Sequence, residues 1–204
     1  YGLQFEVNEN TLIPRPETEE LVEWIIESQK SKVQSQKLEI LDIGTGTGCI
    51  PISLKTNLLQ ANVSAIDVSE KALEVAKRNA QSNKVEVNFI QTNILEVEDL
   101  NQHFDIIVSN PPYVRNLEKQ EIKKNVLDYE PHLALFVEDT DALLFYRKIA
   151  QLALKNLSPN GLLFFEINQY LGKETVELLD NLGFKNIELK KDIYGNDRMI
   201  KCSI

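Results

Sequence analysis

The sequence of 204 residues contains few of the residues on which disulfide-bonded and metal-binding proteins depend. It has two cysteines, two histidines and one methionine. Cys49 and Cys202 lie far apart and neither belongs to a metal-ligand pair, so the pattern predicts no metal site. We interpret both cysteines as buried free thiols in a reducing compartment, which indicates a cytoplasmic protein.

Long apolar runs and an excess of positive charge are also missing. No segment approaches the roughly 20 apolar residues that a membrane helix needs, and the N-terminus lacks the basic and apolar regions of a secretory signal. The formal net charge of −9 weighs against tight, sequence-independent binding to nucleic acid, which needs a clustered basic surface. The chain begins at Tyr1 rather than at methionine, which we interpret as the sign of a missing preceding segment.

From Leu38 onward, short apolar runs alternate with helical patterns. This alternation predicts an α/β fold, a mostly parallel seven-stranded sheet covered on both faces. The last two strands have no helix between them, so we expect an antiparallel hairpin at one edge. The predicted strands are 38–43, 62–66, 85–90, 104–109, 161–167, 184–189 and 198–204, and the predicted helices begin at Pro16 and span 49–57, 69–82, 142–156 and 173–182.

Two segments lie outside this alternation of strands and helices. In residues 3–13, apolar and polar side chains alternate enough to predict an extended arm or a hairpin that turns at 8–10. Residues 110–139 form a long predicted loop with little regular pattern. A loop of roughly thirty residues is unusual inside a compact domain and indicates a functional role.

A glycine-rich turn follows the first predicted strand, where Gly44, Gly46 and Gly48 alternate with Thr45 and Thr47. Alternating glycines let the backbone turn tightly and approach a ligand closely. In open α/β sheets, ligands bind at the carboxyl ends of the strands. The spacing differs from the dinucleotide fingerprint and lacks the Lys-Ser/Thr ending of a P-loop, so a pyrophosphate site is not the best match.

The second predicted strand ends at an acidic residue, Asp67. A carboxylate at this position can accept hydrogen bonds from both ribose hydroxyls of a nucleoside. Alternatively, Asp67 or Ser69 only caps the next helix. Taken alone, each of the two motifs supports a ligand-binding role and a purely structural role equally well. Together, the glycine-rich turn and Asp67 favour a nucleoside-bearing cofactor.

The fourth predicted strand ends at Asn110, Pro111, Pro112 and Tyr113. The prolines restrict the backbone and hold Asn110 extended, which preorganises its side-chain carbonyl and the backbone carbonyl of Pro111. Both carbonyls can accept hydrogen bonds from an NH₂ group, and Tyr113 offers a flat face for a planar group. The turn therefore suits an amide or aromatic amine held toward an electrophilic methyl group. A rigid turn that only ends a strand is the alternative, and agreement with the other motifs favours the functional interpretation.

These motifs resemble the HemK-type protein-(glutamine-N5) methyltransferases, in the branch that acts on peptide chain release factors. The resemblance covers nearly the whole chain and implies a Rossmann-like class I fold preceded by a short β-hairpin. It implies S-adenosylmethionine as cofactor and S-adenosylhomocysteine as product. The segments that carry it are 1–7, 11–19, 44–48, 110–113, Glu130-Pro131, Ala134-Leu135, 165–167, Asp192 and 195–198.

The resemblance also implies roles for single residues. Asn93 stands where the family usually has an aspartate that contacts adenine, and its side-chain oxygen can still accept that bond. Arg15 and Glu130 are implied substrate contacts, although both suit solvated side chains nearly as well. Asn168 and Gln169 depart from the usual glycine. The implied catalytic residues are Asn110, Pro111 and Tyr113; the implied substrate-binding residues are these three with Pro112, Arg15 and Glu130; the implied cofactor-binding residues are Gly44, Thr45, Gly46, Thr47, Gly48, Asp67, Asn93, Ile94 and Asn110.

The implied reaction is methyl transfer to a glutamine in the Gly-Gly-Gln loop of class I release factors. We expect residues 1–15 to be a hairpin or linker to a missing N-terminal helical domain, residues 16–204 to be the catalytic domain, and the chain to be a monomer. The alternatives are a ribosomal-protein glutamine methyltransferase, a nucleic-acid adenine-N6 methyltransferase with a similar turn, and a non-enzymatic nucleoside-binding module. The acidic charge and the segment 13–19 favour the release factor.

Overall fold

The computed structural model describes residues 1–29, 37–115, 117, 118, 131 and 135–204. Helices and short strands alternate along these residues. The helices are α1 (Pro16–Gln29), α2 (Cys49–Asn57), α3 (Glu70–Ser82), α4 (Leu144–Asn156) and α5 (Gly172–Leu182). The strands are β1 (Glu39–Ile43), β2 (Asn62–Asp67), β3 (Asn88–Gln91), β4 (Phe104–Ser109), β5 (Val114–Arg115), β6 (Phe136–Val137), β7 (Leu157–Glu166), β8 (Lys185–Lys191) and β9 (Asp197–Ser203).

A seven-stranded sheet has the order β3-β2-β1-β4-β7-β9-β8. The first five of these strands are parallel, whereas β9 is antiparallel to both β7 and β8. The predicted parallel sheet with an antiparallel hairpin at one edge is therefore confirmed. Strands β5 and β6 form a separate parallel pair inside the predicted loop 110–139. That loop therefore contains regular structure, and the rest of it lies largely outside the described residues.

Hydrophobic clusters cover both faces of the sheet. Leu41 of β1 packs in the same cluster as Ile149 of α4 on one face. Its neighbour Ile40 packs with Leu21 of α1 on the other face. Consecutive residues enter opposite clusters because side chains alternate across a strand. Burial on both sides explains why the parallel strands read as nearly continuous apolar runs.

Two predicted strands differ from the structure at their starts, whereas the other elements agree within two residues. β3 begins at Asn88 instead of residue 85 because the preceding backbone caps α3. Val85 N donates to Ala80 O over 3.1 Å, and Lys84 adopts a left-handed φ of 57°. This geometry is typical of a helix C-terminus. β7 begins at Leu157, earlier than the predicted residue 161.

The predicted β-hairpin before Pro16 is wrong, and the alternative of an extended arm is correct. Residues 1–15 are all described and contain no strand. They turn where Thr11 N donates to Asn8 O over 3.1 Å. Glu6 N donates to Asn79 Oδ1 over 2.7 Å, and Asn79 Nδ2 donates to Glu6 O over 3.0 Å. The backbone of the arm therefore bonds to a side chain of α3 rather than to a partner strand.

Composition led us to expect two buried free thiols and no membrane helix. Both cysteines are free thiols; Cys202 is buried, but Cys49 is only half-buried, contrary to expectation. Cys49 is the first residue of α2 and borders a cavity, which explains its exposure. Among the helices within the described ranges, none is long and apolar enough to cross a membrane.

Asn79 joins the arm to the glycine-rich turn, because its Nδ2 also donates to Thr47 O over 2.9 Å. We expect Asn79→Ala to lower the free energy of unfolding by about 2 kcal/mol, because it leaves buried backbone groups without partners. Urea unfolding measures this loss. Asn83→Ala is the control, since the Asn83 amide donates to Gln4 O at an exposed position. Equal losses in the two variants would contradict the anchoring role.

Candidate active site

A cavity of about 380 Å³ opens where the parallel strands end. Loops that follow neighbouring parallel strands meet at the same edge of a sheet. Every predicted site residue that the structure describes borders this cavity, except Gly48. The main lining segments are 10–15, 43–47, 66–69, 92–95 and 109–114.

The glycines of the turn have two different structural roles. Gly44 and Gly46 have left-handed φ values of 77° and 54°. A Cβ at either position would meet no atom closer than 4.0 Å, so both present bare backbone to open space. Gly48 lies behind the turn, where a Cβ would be 3.0 Å from Ile52 Cδ1 and 3.1 Å from Ala76 Cβ. Its missing side chain therefore permits close packing of α2 against α3.

Asp67 is tied to the glycine-rich turn. Its Oδ2 accepts a hydrogen bond from Gly46 N over 2.8 Å, and its Oδ1 accepts from Ser69 N over 2.9 Å. Burial raises the pKa of Asp67, and these backbone bonds oppose the rise. Ser69, rather than Asp67, caps α3, because Ser69 Oγ accepts from Ala72 N. Each Asp67 oxygen keeps a lone pair for a ligand donor.

Asn93 and Ile94 border the cavity just after β3, the strand that pairs with β2. Asn93 Oδ1 accepts from Leu95 N over 3.2 Å, and its Nδ2 donates to Glu96 Oε1 over 2.8 Å. The side chain thus caps a short 3₁₀-helix, Ile94–Glu96, which the sequence analysis missed. One lone pair of Asn93 Oδ1 remains for a ligand.

The turn at residues 110–113 is held by Thr18 and Glu166, to which the sequence alone assigned no role. Asn110 Nδ2 donates to Thr18 Oγ over 3.4 Å, and Thr18 Oγ donates to Glu166 Oε2 over 2.6 Å. Tyr113 Oη donates to Glu166 Oε1 over 3.1 Å. Both ends of the turn are therefore connected through one carboxylate. Thr18 and Glu166 belong to segments that carry the family resemblance, which was the available signal.

Burial controls the protonation of these side chains. Glu166 is 1% exposed, and burial raises its pKa, while the bonds from Thr18 and Tyr113 and the positive charge of Arg198 oppose the rise. Burial and the Glu166 carboxylate raise the pKa of Tyr113 far above its usual value. Tyr113 is therefore a neutral phenol whose hydroxyl donates a hydrogen bond to Glu166.

Asn168 fastens the backbone that follows the turn. It is buried, and its Nδ2 donates to Tyr113 O and to Glu118 Oε2, each over 2.9 Å. Its Oδ1 accepts from Tyr170 N over 2.9 Å. The asparagine that replaces the family's usual glycine thus makes three hydrogen bonds that glycine cannot make. Gln169 accepts a bond from Arg198.

The two residues implied as further substrate contacts have different outcomes. Arg15 is half-buried and borders the cavity. Its carbonyl accepts from Thr18 N over 3.2 Å, at the start of α1. Glu130 lies outside the described residues, so its role stays a prediction.

Asp42 of β1 is a buried carboxyl group two residues before Gly44, and no sequence motif pointed to it. Neither of its oxygens, nor Thr45 Oγ, has a hydrogen-bond partner within the described part of the chain. Burial raises the pKa of Asp42 to about 7, and the negative charge of Asp67 adds to the rise. Buried polar atoms without partners are costly, so donors from water or a ligand suit this position.

The fold and site define a methyltransferase domain. The family model "Methyltransferase small domain" matches residues 23–132, more than half of the chain. The release factor glutamine methyltransferase of Flavobacterium psychrophilum is 72% identical over 203 residues, which cover 100% of this chain and 71% of that protein. The protein of the same name from Bacteroides thetaiotaomicron is 45% identical over 203 residues, covering 99% and 71%. The chain therefore belongs to the release factor glutamine methyltransferase family.

A more distant solved structure has the same fold. It is a magnesium protoporphyrin IX methyltransferase from Synechocystis PCC 6803 with bound SAM. The TM-score is 0.59 at 16% identity, and the match covers 91% of this chain and 79% of that one. This likeness shows the fold alone, and it agrees with the predicted class I methyltransferase architecture.

The raised pKa of Asp42 predicts a pH-dependent cost of folding. An unfolded aspartate titrates near pH 4, whereas folded Asp42 titrates at about 7. The protonated group favours the folded state, so its contribution is complete below about pH 4 and is lost as the pH rises through 7. Relative to Asp42→Asn, we expect the wild type to lose up to about 4 kcal/mol across this interval.

Urea unfolding of both proteins between pH 4 and 8 measures this difference. The exposed Asp180→Asn, which removes one formal charge from α5, is the control. A wild-type-to-Asp42→Asn difference that stays constant with pH would contradict the assignment.

Proposed function

We propose that this chain transfers a methyl group from S-adenosylmethionine to the side-chain amide nitrogen of a glutamine, in the Gly-Gly-Gln loop of class I peptide chain release factors. The observation that carries the proposal is the position of Asn110 and Pro111 at the cavity edge, beside the turn at Gly44 and Gly46. The two relatives that are 72% and 45% identical to this chain are release factor glutamine methyltransferases by name, which supports the release factor as substrate.

Several features of the cavity fit the cofactor. Gly44 and Gly46 lack a Cβ where the methionine end would approach, and Asp67 keeps acceptor capacity for the ribose hydroxyls. Asn93 and Ile94 offer an acceptor and an apolar surface for adenine. When bound, the cofactor supplies a methyl group on a positively charged sulfur.

The residues of the turn supply the substrate side of the reaction. A glutamine amide nitrogen is a weak nucleophile because its lone pair is delocalised. Asn110 Oδ1 and Pro111 O accept hydrogen bonds from its two N–H groups and aim the nitrogen toward the cofactor. Tyr113 packs against the amide plane. These carbonyls also stabilise the positive charge that develops on the nitrogen. After transfer the methylated nitrogen carries a positive charge and releases one proton to solvent, so no strong base is required.

The setting of the reaction follows from the same features. We propose a monomer in the cytoplasm, where the two free thiols stay reduced. We propose residues 16–204 as the catalytic domain and residues 1–15 as a linker whose last part, 10–15, contributes to the cavity wall. The net charge of −9 disfavours a nucleic acid substrate.

A transfer assay with a methyl-labelled cofactor tests the substrate. We expect label in a class I release factor and none in a release factor whose Gly-Gly-Gln glutamine is changed to asparagine. DNA, RNA and ribosomal proteins serve as competing substrates. Label in DNA alone, or in a ribosomal protein alone, would reject the proposal.

Two asparagines that border the cavity are expected to give opposite results. Asn110→Ala removes an acceptor for the substrate amide, so we expect kcat to fall by about 100-fold, while the Kd of the cofactor, which Asn110 only borders, rises by less than about threefold. Asn93→Ala removes an adenine acceptor, so we expect the cofactor Kd to rise by about 10-fold with kcat retained at saturation. Calorimetry gives the Kd values, and the transfer assay gives kcat. Unchanged turnover in Asn110→Ala would refute its role.

A further inference from the structure

We propose that Glu166 and Thr18 fix the orientation of the Asn110 amide, so that its carbonyl oxygen rather than its NH₂ group faces the substrate nitrogen. Glu166 and Thr18 are positioning residues, because they act through Asn110. This inference rests on the proposed function, since it concerns how the same turn holds a glutamine amide.

Glu166 accepts both of its hydrogen bonds. The two hydroxyl donors and the positive charge of Arg198 favour its ionised form against the effect of burial, and an ionised carboxylate has acceptors and no donor. Glu166 Oε2 is 2.6 Å from Thr18 Oγ, and Glu166 Oε1 is 3.1 Å from Tyr113 Oη. Because both carboxylate oxygens act as acceptors, the Thr18 and Tyr113 hydroxyls must each donate a hydrogen bond to Glu166.

The Thr18 hydroxyl carries one proton and two lone pairs. Because the one O–H of Thr18 is used in the hydrogen bond to Glu166, Thr18 can only accept a hydrogen bond from its other neighbour. That neighbour is the Asn110 side chain at 3.4 Å, so Asn110 must direct Nδ2 toward Thr18. Its Oδ1 then points away from Thr18 and is available to a ligand.

The orientation of the Asn110 amide needs hydrogen bonds to define it. The two orientations of an asparagine amide have nearly the same shape, so packing alone selects between them weakly. In the reversed orientation, the Asn110 NH₂ would face the NH₂ of the glutamine, and two donors would oppose each other. The buried positions of Glu166 and Thr18, 1% and 5% exposed, keep water from supplying an alternative acceptor.

Tyr113 is fixed by the same carboxylate. Its hydroxyl bonds to Glu166, and its backbone carbonyl accepts from Asn168 Nδ2 over 2.9 Å. The ring is therefore held at its hydroxyl end and at its backbone. One buried acidic residue thus orients both the acceptor that binds the amide protons and the aromatic face beside them.

A matched pair of variants at Thr18 tests the proposal. Thr18→Val keeps the shape but removes the hydroxyl, and we expect kcat to fall about 10- to 100-fold. Thr18→Ser keeps the hydroxyl, and we expect kcat within about threefold of the wild type. The cofactor Kd and the KM for the release factor should change by less than about threefold in both variants, because binding contacts remain.

Glu166→Gln supplies the second arm, because an amide cannot accept from both hydroxyls. We expect a loss of kcat similar to that of Thr18→Val. The double variant should lose no more than about threefold beyond either single variant, since both changes break one chain of hydrogen bonds. Thermal unfolding shows whether each variant folds; if Glu166→Gln does not fold, the Thr18 pair alone decides.

A readout without substrate separates this proposal from the proposed function. We expect the side-chain NH₂ protons of Asn110, assigned by ¹⁵N NMR against Asn110→Ala, to exchange slowly in the wild type and at least about tenfold faster in Thr18→Val. If the wild type methylates the release factor but Thr18→Val retains full kcat, the orientation proposal is overturned alone. If the wild type methylates no release factor, the proposed function fails, and the exchange rates still decide the orientation.

Discussion

Parallel pairing of three central strands is the constraint on which the site depends. The register places Ile43 of β1 beside Ile66 of β2 and Ser109 of β4. The next residue in each strand or loop is Gly44, Asp67 or Asn110, so the ladder hydrogen bonds bring the three motifs to one edge. A slip of one residue in either pairing would move one motif along the edge and turn its strand's side chains to the opposite face.

The same edge concentrates acidic groups where solvent is scarce. Asp67 and Glu166 are stabilised by donors from the protein, which are backbone N–H groups for Asp67 and hydroxyl groups for Glu166. Asp42 has no such donors within the described residues, and burial raises its pKa to about 7. Strongly perturbed acids are common at functional sites. The contrast indicates that folding alone satisfies two of the three carboxyl groups.

Local sequence patterns predicted the sheet because alternating apolar runs and glycines act over short distances. They also predicted the edge where the motifs meet, since parallel strands end together. Contacts between distant residues were not predictable in this way. Thr18 and Glu166 are 148 positions apart, and no periodicity joins them. The hairpin prediction for the arm was wrong for the same reason, because the arm bonds to Asn79 of α3 rather than to a neighbouring strand.

The N-terminal residues contact both turns that border the cavity. At the glycine-rich turn, Asn79 bonds the arm at Glu6 and the turn at Thr47. At residues 110–113, Thr18 connects Asn110 to Glu166. Residues 10–15 lie between these two attachments and border the cavity themselves. The segment before α1 and the first turn of α1 therefore both hold turns that border one cavity.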